Sequence, residues 1–361
     1  MKFEIIELAN ISDADIVWKK IVDETSYSWV WSTYAQYKFR ISVLQASGRL
    51  VKDKSFILLQ EGKSCGLAPL LFVKGVNFKG IQASYDIPLP WPMITDSVED
   101  YSKAEEFMLD EIELRIQEIG AKKLSFWLSP PGLGDNFMKR FRDIVRKRGF
   151  IDASYSSHYF DITPTTLEGV RKRYRRYVKK FGDNYELMVL GHDDCYSNLS
   201  NQYMALHVMD AGKVYRPIET YEAQIDLIRN KEGFMIQARN KANDKVVGML
   251  IVSCFKKSAY DNSVAVHPDY QKEYVSHLMK WKAIQHMQQL DIDHYELGKA
   301  AISPTYFLQP DNKSYGITHF KEGWSRGCLK KALIAEKYYS KSALEADWNS
   351  KLGDLFNYFN I

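Results

Sequence analysis

Cationic side chains are concentrated in one short stretch of the chain. Seven of the ten residues at positions 171–180 are Lys or Arg, and they are interleaved with Tyr174 and Tyr177. On a helix, where successive residues turn by about 100°, several of these cations share one broad face: Arg171, Lys172, Arg175, Arg176 and Lys179. Such a face suits phosphate groups, whose contacts are mostly electrostatic and independent of sequence. The alternative is a face that is simply solvated, and the pattern alone leaves both open.

The stretch from Lys245 to Lys299 is predicted to have the order strand, strand, helix, strand. A corner at His267-Pro268-Asp269 leads into the helix and places backbone N–H groups beside strand ends, a geometry suited to anions and developing oxyanions. The polar side of this helix, including Lys280, is expected to face solvent. Its apolar stripe is expected to be buried: Tyr274, Leu278, Trp281, Ile284 and Met287.

Length and composition set the class of protein. A chain of 361 residues favours two domains, and 45% hydrophobic with 26% charged residues is typical of a soluble globular protein. The formal net charge of +4 excludes a global basic character, so contact with nucleic acid must rest on a local patch. The N-terminus lacks a signal-peptide pattern and no apolar run reaches membrane-spanning length. These features predict a cytoplasmic protein.

The cysteines give no sign of a metal or disulfide framework. Cys65, Cys195, Cys254 and Cys328 are widely separated and form neither a CxxC pair nor a zinc spacing, which predicts free thiols and no metal site. No P-loop, GxSxG, HExxH or dinucleotide-binding fingerprint is present. Hydrolase, kinase and oxidoreductase functions therefore have no positive support.

Both halves of the chain carry a hairpin, a third strand, a helix and another strand in the same order. Gly66 and Gly248 occupy matching places just after the hairpin turns. The repetition predicts an α/β (α+β) fold of two similar domains, residues 1–160 and 161–361, each a mixed, mostly antiparallel sheet flanked by helices. Two unrelated α/β domains are the alternative.

Four segments together resemble the FemABX family, whose members are tandem GNAT-like domains that transfer amino acids from aminoacyl-tRNA onto peptidoglycan precursors. The segments are the basic run 171–180, Arg216–Glu222, His267–Tyr270 with the helix after it, and Tyr295-Glu296-Leu297-Gly298 followed by Gly316–Trp324. The resemblance covers roughly residues 165–335 well and reaches the first half mainly through the order of elements. It implies two tandem GNAT-like domains and an acyltransferase.

The chain departs from the family pattern in two places, and one of them bears on the donor. GNAT enzymes that bind CoA usually have a glycine-containing pyrophosphate loop at the helix start, but residues 271–276 contain no glycine. Close backbone approach to a pyrophosphate is therefore hindered. After the motif His319-Phe320-Lys321, the chain reads Gly323-Trp324-Ser325-Arg326-Gly327 instead of a Gly-Phe-Gly-Gly-like segment. Since FemABX members tolerate loss of the loop glycine, the resemblance favours aminoacyl-tRNA over acyl-CoA, with no tightly bound cofactor.

The resemblance also assigns donor-binding residues. In FemABX-like proteins the lysine that matches Lys321 lies near the donor's phosphates, and a cation there can stabilise the tetrahedral oxyanion. Lys321 is therefore a predicted donor-binding and catalytic residue; an ordinary surface lysine is the alternative. The other donor-binding residues belong to the basic run: Arg171, Lys172, Arg175 and Arg176.

Transfer to an amine needs a deprotonated nucleophile held in place. The candidate bases are carboxylates at strand ends or loops: Asp86, Asp96, Asp261 and Glu296. Asp96 is the predicted catalytic base, because Pro90–Asp96 resembles, one residue out of register, a family segment that ends in an aspartate of proposed catalytic role. A helix-capping role for Asp96 and a reaction without a dedicated base are the alternatives.

Lys38, Arg216 and Tyr260 are the predicted acceptor-binding residues, in a cleft between the two domains. Lys38 and Arg216 match loosely the cationic positions that bind the acceptor's phosphates in the family. For each, a plain surface position is the alternative.

The predicted function is transfer of an acyl or aminoacyl group onto an amine, on a cell-wall or polysaccharide precursor. One alternative is a CoA-dependent GNAT N-acetyltransferase, and another is a non-catalytic GNAT-derived binding module. No DNA partner is expected. Without a transmembrane segment, access to a lipid-linked substrate would be peripheral.

Overall fold

The computed structural model describes residues 2–85, 87–128, 135–194, 197–214, 216–301 and 311–359. By their contacts these residues form two compact units. Unit 1 contains the described residues within Met1–Ser156, Ala301–Tyr315 and Lys331–Ile361, and unit 2 contains those within Ser157–Ala300 and Gly316–Lys330. Asp86, one of the candidate bases, and Cys195 lie outside the described residues.

The elements of the first part of the chain are, in order, β1 (Phe3–Glu7), α1 (Ala14–Asp23), α2 (Tyr34–Ala46), β2 (Leu50–Asp53), β3 (Phe56–Gln60), β4 (Lys63–Ala68), β5 (Leu71–Lys74), β6 (Ile81–Ala83), β7 (Leu89–Pro90), β8 (Met93–Ile94), α3 (Tyr101–Ile119), β9 (Lys123–Trp127), α4 (Asp135–Arg148) and β10 (Ile151–Asp152).

They are followed by β11 (Tyr155–Asp161), α5 (Thr166–Gly169), α6 (Lys172–Phe181), β12 (Tyr185–Leu190), α7 (Leu199–Ala211), α8 (Ile218–Arg229), β13 (Gly233–Asn240), β14 (Lys245–Phe255), β15 (Ser258–Val266), α9 (Val275–Gln289), β16 (His294–Lys299), α10 (Asn312–Ser325), β17 (Leu329–Ala332), β18 (Ile334–Tyr338) and α11 (Lys341–Phe359).

Unit 1 is built on two sheets. One has the strand order β1-β3-β4-β8, and the other β10-β18-β9-β6-β5-β2, with β7 also paired to β9. β6 and β7 run parallel to β9, and α3 is the crossover that parallel strands require. Helix α3 begins at its N-cap Asp100, whose side chain accepts a hydrogen bond from Lys103 N, and ends at Gly120, where φ is 69°.

The C-terminal strand β18 lies between β9 and β10 of unit 1. It pairs with β9 from Ile334↔Trp127 to Tyr338↔Lys123. Lys123 also binds Asp347 of α11, with 2.9 Å between Nζ and Oδ2. These contacts join the described residues from 331 onward to unit 1, whereas the sequence analysis placed them in the second domain. Pairing between strands far apart in the chain is not visible in a local sequence pattern.

Unit 2 contains a sheet with the strand order β12-β13-β14-β15-β16-β11-β17. The pairs β12–β13, β13–β14, β14–β15 and β16–β11 are antiparallel, and β15 and β16 are parallel and connected by α9. The mixed, mostly antiparallel sheets flanked by helices confirm the predicted fold class.

The sheet of unit 2 is covered on both faces. Along β14, Leu250 and Val252 belong to one buried cluster, together with the apolar residues of α9. Met249 and Ile251 belong to a second cluster, together with residues of α7 and α8. Successive side chains of a strand point to opposite faces, so this alternation places α9 on one face and α7 with α8 on the other.

Helix α9 agrees with the prediction on part of its apolar side and differs on its polar side. Leu278, Ile284 and Met287 are buried, as expected, whereas Tyr274 and Trp281 are only half-buried. The Lys280 side chain, expected in solvent, is only 3% exposed. The prediction that Lys280 faces solvent is therefore wrong. The lysine is buried because its ammonium finds two oxygens at the sheet, in Asp261 and Tyr295.

Candidate active site

Strands β15 and β16 of unit 2 separate after a short parallel pairing. Three residue pairs join them, from Ser258↔His294 to Tyr260↔Glu296. Both strands are fully described, and no further pair follows although β15 continues to Val266. Ligands of open α/β sheets bind beyond the carboxyl ends of parallel strands, where neighbouring strands part. The side chains at this point are therefore candidates for a site.

Gly298 allows two polar side chains to lie close to the backbone of β16 where the strands separate. Its φ is 84°, and a Cβ at this position would lie 3.3 Å from Tyr260 Oη and 3.4 Å from Lys321 Nζ. A side chain here would therefore crowd both the hydroxyl and the ammonium group. We refer to Tyr260, Glu296, Gly298 and Lys321 together as the strand opening.

Lys321 reaches the strand opening from helix α10. Its Nζ donates to the carbonyl oxygen of Lys299 at 3.2 Å, and within the described part of the chain this is its one hydrogen-bond acceptor. Burial lowers the pKa of Lys321, whereas the nearby carboxylates of Asp261 and Glu296 raise it. An ammonium group has three donors, so Lys321 retains donors for a bound oxyanion.

Glu296 is a carboxylate enclosed in the sheet. It is 2% exposed, and its Oε1 accepts a hydrogen bond from Ser157 Oγ at 2.6 Å. Its Oε2 is buried and accepts no hydrogen bond from any described residue. Burial raises the pKa of Glu296 to about 7, while the Ser157 bond and the charge of Lys321 act to lower it. Because the desolvated carboxylate binds a proton more readily than usual, Glu296 is able to exchange a proton near neutral pH.

A buried ion pair lies next to the strand opening on the α9 side of the sheet. Lys280 Nζ contacts Asp261 and also donates to Tyr295 Oη at 2.9 Å. Tyr295 Oη in turn donates to Asp261 Oδ1 at 2.9 Å. Burial lowers the pKa of Lys280, and Asp261 raises it. The three groups satisfy one another and fix β15 to β16 where the strands begin to part.

Two buried histidines of unit 2 are neutral at pH 7. Burial lowers the pKa of His158 to about 4, and the charge of Lys321 acts in the same direction. His158 Nδ1 lies 3.1 Å from Ser325 Oγ, one helical turn beyond Lys321. Burial also lowers the pKa of His277 to about 4, where its ring contacts the ring of Tyr174 with 4.4 Å between centroids. Neither imidazole therefore adds positive charge near the strand opening.

Helix α6 has the amphipathic form that the basic run predicted. Tyr174 is buried, and Tyr177 packs against the same core cluster. Lys172, Arg175 and Arg176 are exposed, and none of their side chains has an ion-pair or hydrogen-bond partner among the residues that the structure describes. We refer to these three residues as the basic face.

Arg171 has a different environment from the basic face. Its guanidinium donates to His319 Nε2 at 2.7 Å and to Glu322 Oε2 at 3.2 Å, both on α10. Arg171 therefore links the start of α6 to the helix that carries Lys321. The contact orients the two helices and leaves the basic face available.

The start of α9 carries aromatic rings in place of a glycine-containing loop. Tyr274 precedes the helix with φ of 58°, a left-handed conformation that glycine adopts most easily. Its ring stacks on Tyr177 of α6, with centroids 3.5 Å apart and an angle of 8° between the planes. The start of α9, which lacks the glycine of a CoA-binding loop, therefore carries a stacked pair of tyrosine rings instead.

The predicted acceptor residues lie in three different settings. Tyr260 is part of the strand opening. The guanidinium of Arg216 lies 4.2 Å from the centroid of the Tyr221 ring and donates to Gln224 of α8. Lys38 is exposed on α2 of unit 1.

Asp96, the predicted base, belongs to unit 1. Its carboxylate is exposed and accepts a hydrogen bond from Ser26 N at 3.2 Å. The N-cap of α3 is Asp100, so the capping role considered for Asp96 belongs to another residue. The role of Asp96 stays a prediction, and within unit 2 the structure brings together Tyr260, Glu296 and Lys321.

The sequence analysis missed Ser157 and misplaced Lys280. Ser157 lies in β11, about 140 residues before Glu296 in the chain, and no local pattern connects the two. Lys280 did have a signal, since it precedes Ile284 by four residues and Met287 by seven and so falls on the apolar stripe of the helix. A lysine on such a stripe indicates a buried partner.

The comparisons with known proteins agree with this architecture. Residues 168–309 match the sequence model of the acetyltransferase (GNAT) domain, a range that includes β15, α9 and β16. No curated protein sequence matches the chain. Among the described residues, no helix combines the length and apolar character needed to cross a membrane.

Solved structures share the fold over nearly the whole chain. FemX aligns with a TM-score of 0.70 and 10% identity over 96% of this chain and 100% of FemX. L-PGS from Bacillus licheniformis aligns with a TM-score of 0.59 and 11% identity, over 92% of this chain and 95% of L-PGS. A tandem GNAT protein from the clavulanic acid biosynthesis pathway gives 0.51 and 10%, over 94% and 99% of the two chains. The chain therefore has a FemX-like fold in which residues 168–309 match the acetyltransferase (GNAT) domain, and this confirms the FemABX-like resemblance.

Proposed function

We propose that the protein transfers an aminoacyl group from an activated ester to an amine, with the strand opening as the reaction site. The observation that carries this proposal is the Lys321 ammonium, which lies beside Gly298 and Tyr260 and retains hydrogen-bond donors. Attack of an amine on an ester carbonyl places negative charge on the carbonyl oxygen. A fixed cation at that oxygen stabilises the transition state, and loss of such a donor typically lowers the rate by about 10²–10³.

The donor in this proposal is aminoacyl-tRNA. The basic face of Lys172, Arg175 and Arg176 offers charges that no described residue neutralises, as phosphate binding requires. Arg171 joins this helix to α10, which carries Lys321, and this contact supports a donor site that the two helices share. The aromatic start of α9 supports aminoacyl-tRNA over acyl-CoA. Because aminoacyl-tRNA is made in the cytoplasm, the proposed reaction takes place there.

The acceptor in this proposal is an amine-bearing cell-wall or polysaccharide precursor. Tyr260 would contact the acceptor in the strand opening. Arg216 of unit 2 and Lys38 of unit 1 stay proposed acceptor-binding residues, supported only by the sequence resemblance. The exposed carboxylate of Asp96 stays a proposed catalytic group of unit 1, supported only by the sequence resemblance. Access to a lipid-linked acceptor would be peripheral.

The donor can be tested by thermal-shift titration with acetyl-CoA and with charged tRNA, each at two salt concentrations. We expect charged tRNA to raise the unfolding midpoint in a salt-dependent manner. The double variant Arg175→Ala/Arg176→Ala should weaken tRNA binding. It should also make the negative slope of log affinity against log salt less steep, by between about one and two. The matched control, Lys19→Ala/Lys20→Ala on α1, removes the same charge and should bind like the wild type.

Three outcomes would contradict this proposal. A saturable shift with acetyl-CoA alone would favour a CoA-dependent acyltransferase. Equal salt slopes for the α6 and α1 double variants would show that the basic face does not bind the donor. If neither ligand shifts the midpoint, a non-catalytic binding module becomes the better account.

A further inference from the structure

Glu296 has features that a purely structural carboxylate does not need. It is 2% exposed, it is the last residue of β16 paired with β15, and two residues later Gly298 lacks a Cβ, which lets Tyr260 Oη and Lys321 Nζ lie close to the backbone. Its Oε1 is held by Ser157 Oγ, while Oε2 is buried and accepts no hydrogen bond from the described residues. Leaving a buried carboxylate oxygen unpaired is unfavourable. A ligand with an N–H group in the strand opening would supply the missing donor.

We propose that Glu296 accepts the proton that the attacking amine loses in the strand opening; this inference rests on the proposed function. The neutral amine forms a C–N bond with the donor's carbonyl carbon, and Glu296 Oε2 takes one N–H proton. The bond between that carbon and the ribose oxygen then breaks, and the oxygen leaves with the proton that Glu296 held. The carboxylate is regenerated, the products are an amide and free tRNA, and Lys321 stabilises the oxyanion between the two steps.

The surroundings of Glu296 suit this exchange. Burial raises the pKa of Glu296 to about 7, and a base is most effective when its pKa lies near the operating pH. Lys321 of α10 and Ser157 of β11 act to lower that pKa. Tyr159 of β11 also interacts with Glu296, and Tyr260 of β15 is its partner in the strand register. Above about pH 7 the carboxylate is ionised and ready to accept a proton.

Ser157 is a positioning residue in this scheme. Its hydroxyl donates to Oε1, which fixes the carboxylate and leaves Oε2 as the accepting atom. Since the same bond lowers the pKa of Glu296, removal of the hydroxyl should raise the pH at which the base becomes active. If Ser157 only stabilised the fold, its replacement would leave the pH midpoint of the reaction unchanged.

The test is the pH dependence of single-turnover transfer from charged tRNA to an amine-bearing cell-wall precursor, with acetyl-CoA as a second donor. We expect the wild-type rate to rise with pH around a midpoint near 7. Glu296→Gln should lose this rise and slow transfer by about 10²–10⁴ with tRNA binding unchanged. Ser157→Ala, which keeps the carboxylate, should move the midpoint to higher pH. The control Glu186→Gln, at an exposed position on β12, should match the wild type.

The outcomes separate this inference from the proposed function. If the wild type transfers from neither donor, the proposed function fails and the role of Glu296 fails with it. If the wild type transfers but Glu296→Gln keeps the rate and the rise with pH, only the role of Glu296 is refuted. Should Glu296→Gln fail to fold, Ser157→Ala decides, because an unmoved midpoint overturns the inference.

Discussion

Replacing Asp261 with Asn tests the buried ion pair beside the strand opening. In the wild type, Lys280 contacts Asp261 and donates to Tyr295 Oη at 2.9 Å, and the lysine side chain is 3% exposed. Asn keeps the size and an acceptor oxygen of Asp but removes the negative charge. The variant therefore leaves an ammonium group buried without a counter-charge, and we expect it to be less stable by about 3–5 kcal/mol at pH 7.

Deprotonation of Lys280 sets the upper limit of this loss and gives it a pH dependence. Burial lowers the pKa of Lys280 from its usual 10.5 and Asp261 raises it, so loss of the carboxylate lowers it further. At about 1.36 kcal/mol per pH unit, holding such a lysine neutral at pH 7 costs about 5 kcal/mol. The unfolded variant then binds one more proton than the folded variant. Its free energy of unfolding therefore rises with pH below 10.5, by at most about 1.4 kcal/mol per unit.

The assay is urea unfolding of wild type and variant in parallel at pH 7, 8 and 9, followed by tryptophan fluorescence and circular dichroism. We expect the deficit of Asp261→Asn to shrink as the pH rises. The double variant Asp261→Asn/Lys280→Met removes both charges and should recover most of the loss. A deficit below about 1 kcal/mol, or one that is constant from pH 7 to 9, would refute the buried ion pair.

Three further predictions concern unit 2. Gly298→Ala and the control Gly327→Ala both place a side chain at positive φ, so each should lower the free energy of unfolding by about 1–2 kcal/mol. Only Gly298→Ala should slow transfer, by about a hundredfold, because its Cβ crowds the strand opening. Equal activity of the two variants would count against this site. As the pH falls from 7 to 5, the free energy of unfolding of His277→Phe should rise by about 2 kcal/mol relative to the wild type, because the folded wild type keeps the imidazole neutral while the unfolded chain protonates it. Urea unfolding at both pH values measures the difference. A difference that does not change with pH would contradict the lowered pKa of His277. Gly323→Ala would place a Cβ 2.2 Å from the Tyr174 ring of α6 and should destabilise the protein by about 1–3 kcal/mol in thermal unfolding. The control Gly316→Ala lies on the same helix, its Cβ would have no atom within 4 Å, and it should not destabilise. Similar unfolding midpoints of the two variants would contradict the packing of α10 against α6.

Much of unit 2 could be predicted from local sequence patterns. The spacing of Tyr174, Tyr177 and the cations between them predicted the amphipathic helix α6. The order strand, strand, helix, strand from Lys245 to Lys299 was also predicted, and the structure forms it as β14, β15, α9 and β16. These features are encoded locally, because periodicity determines which face of an element is apolar.

The chemistry of the site depended on contacts that local patterns do not encode. Glu296 was one of four candidate carboxylates, and its burial became visible only once β11 was placed beside β16, with Ser157 against it. Lys280 was predicted at the surface because a charged side chain was assumed to be solvated. Its burial depends on Asp261 and Tyr295, which lie on two other strands. The pairing of β18 with β9 was hidden for the same reason.

The most direct test of acyl transfer at the strand opening is the single-turnover rate of the Lys321→Met variant. Methionine keeps much of the side-chain length and removes the charge. The assay follows a labelled amino acid from charged tRNA to the amine of a cell-wall precursor, with tRNA binding measured in parallel. The account predicts a rate about 10²–10³ below that of the wild type, with the salt-dependent affinity of the basic face retained. A variant that transfers at the wild-type rate would show that the oxyanion does not form beside Lys321.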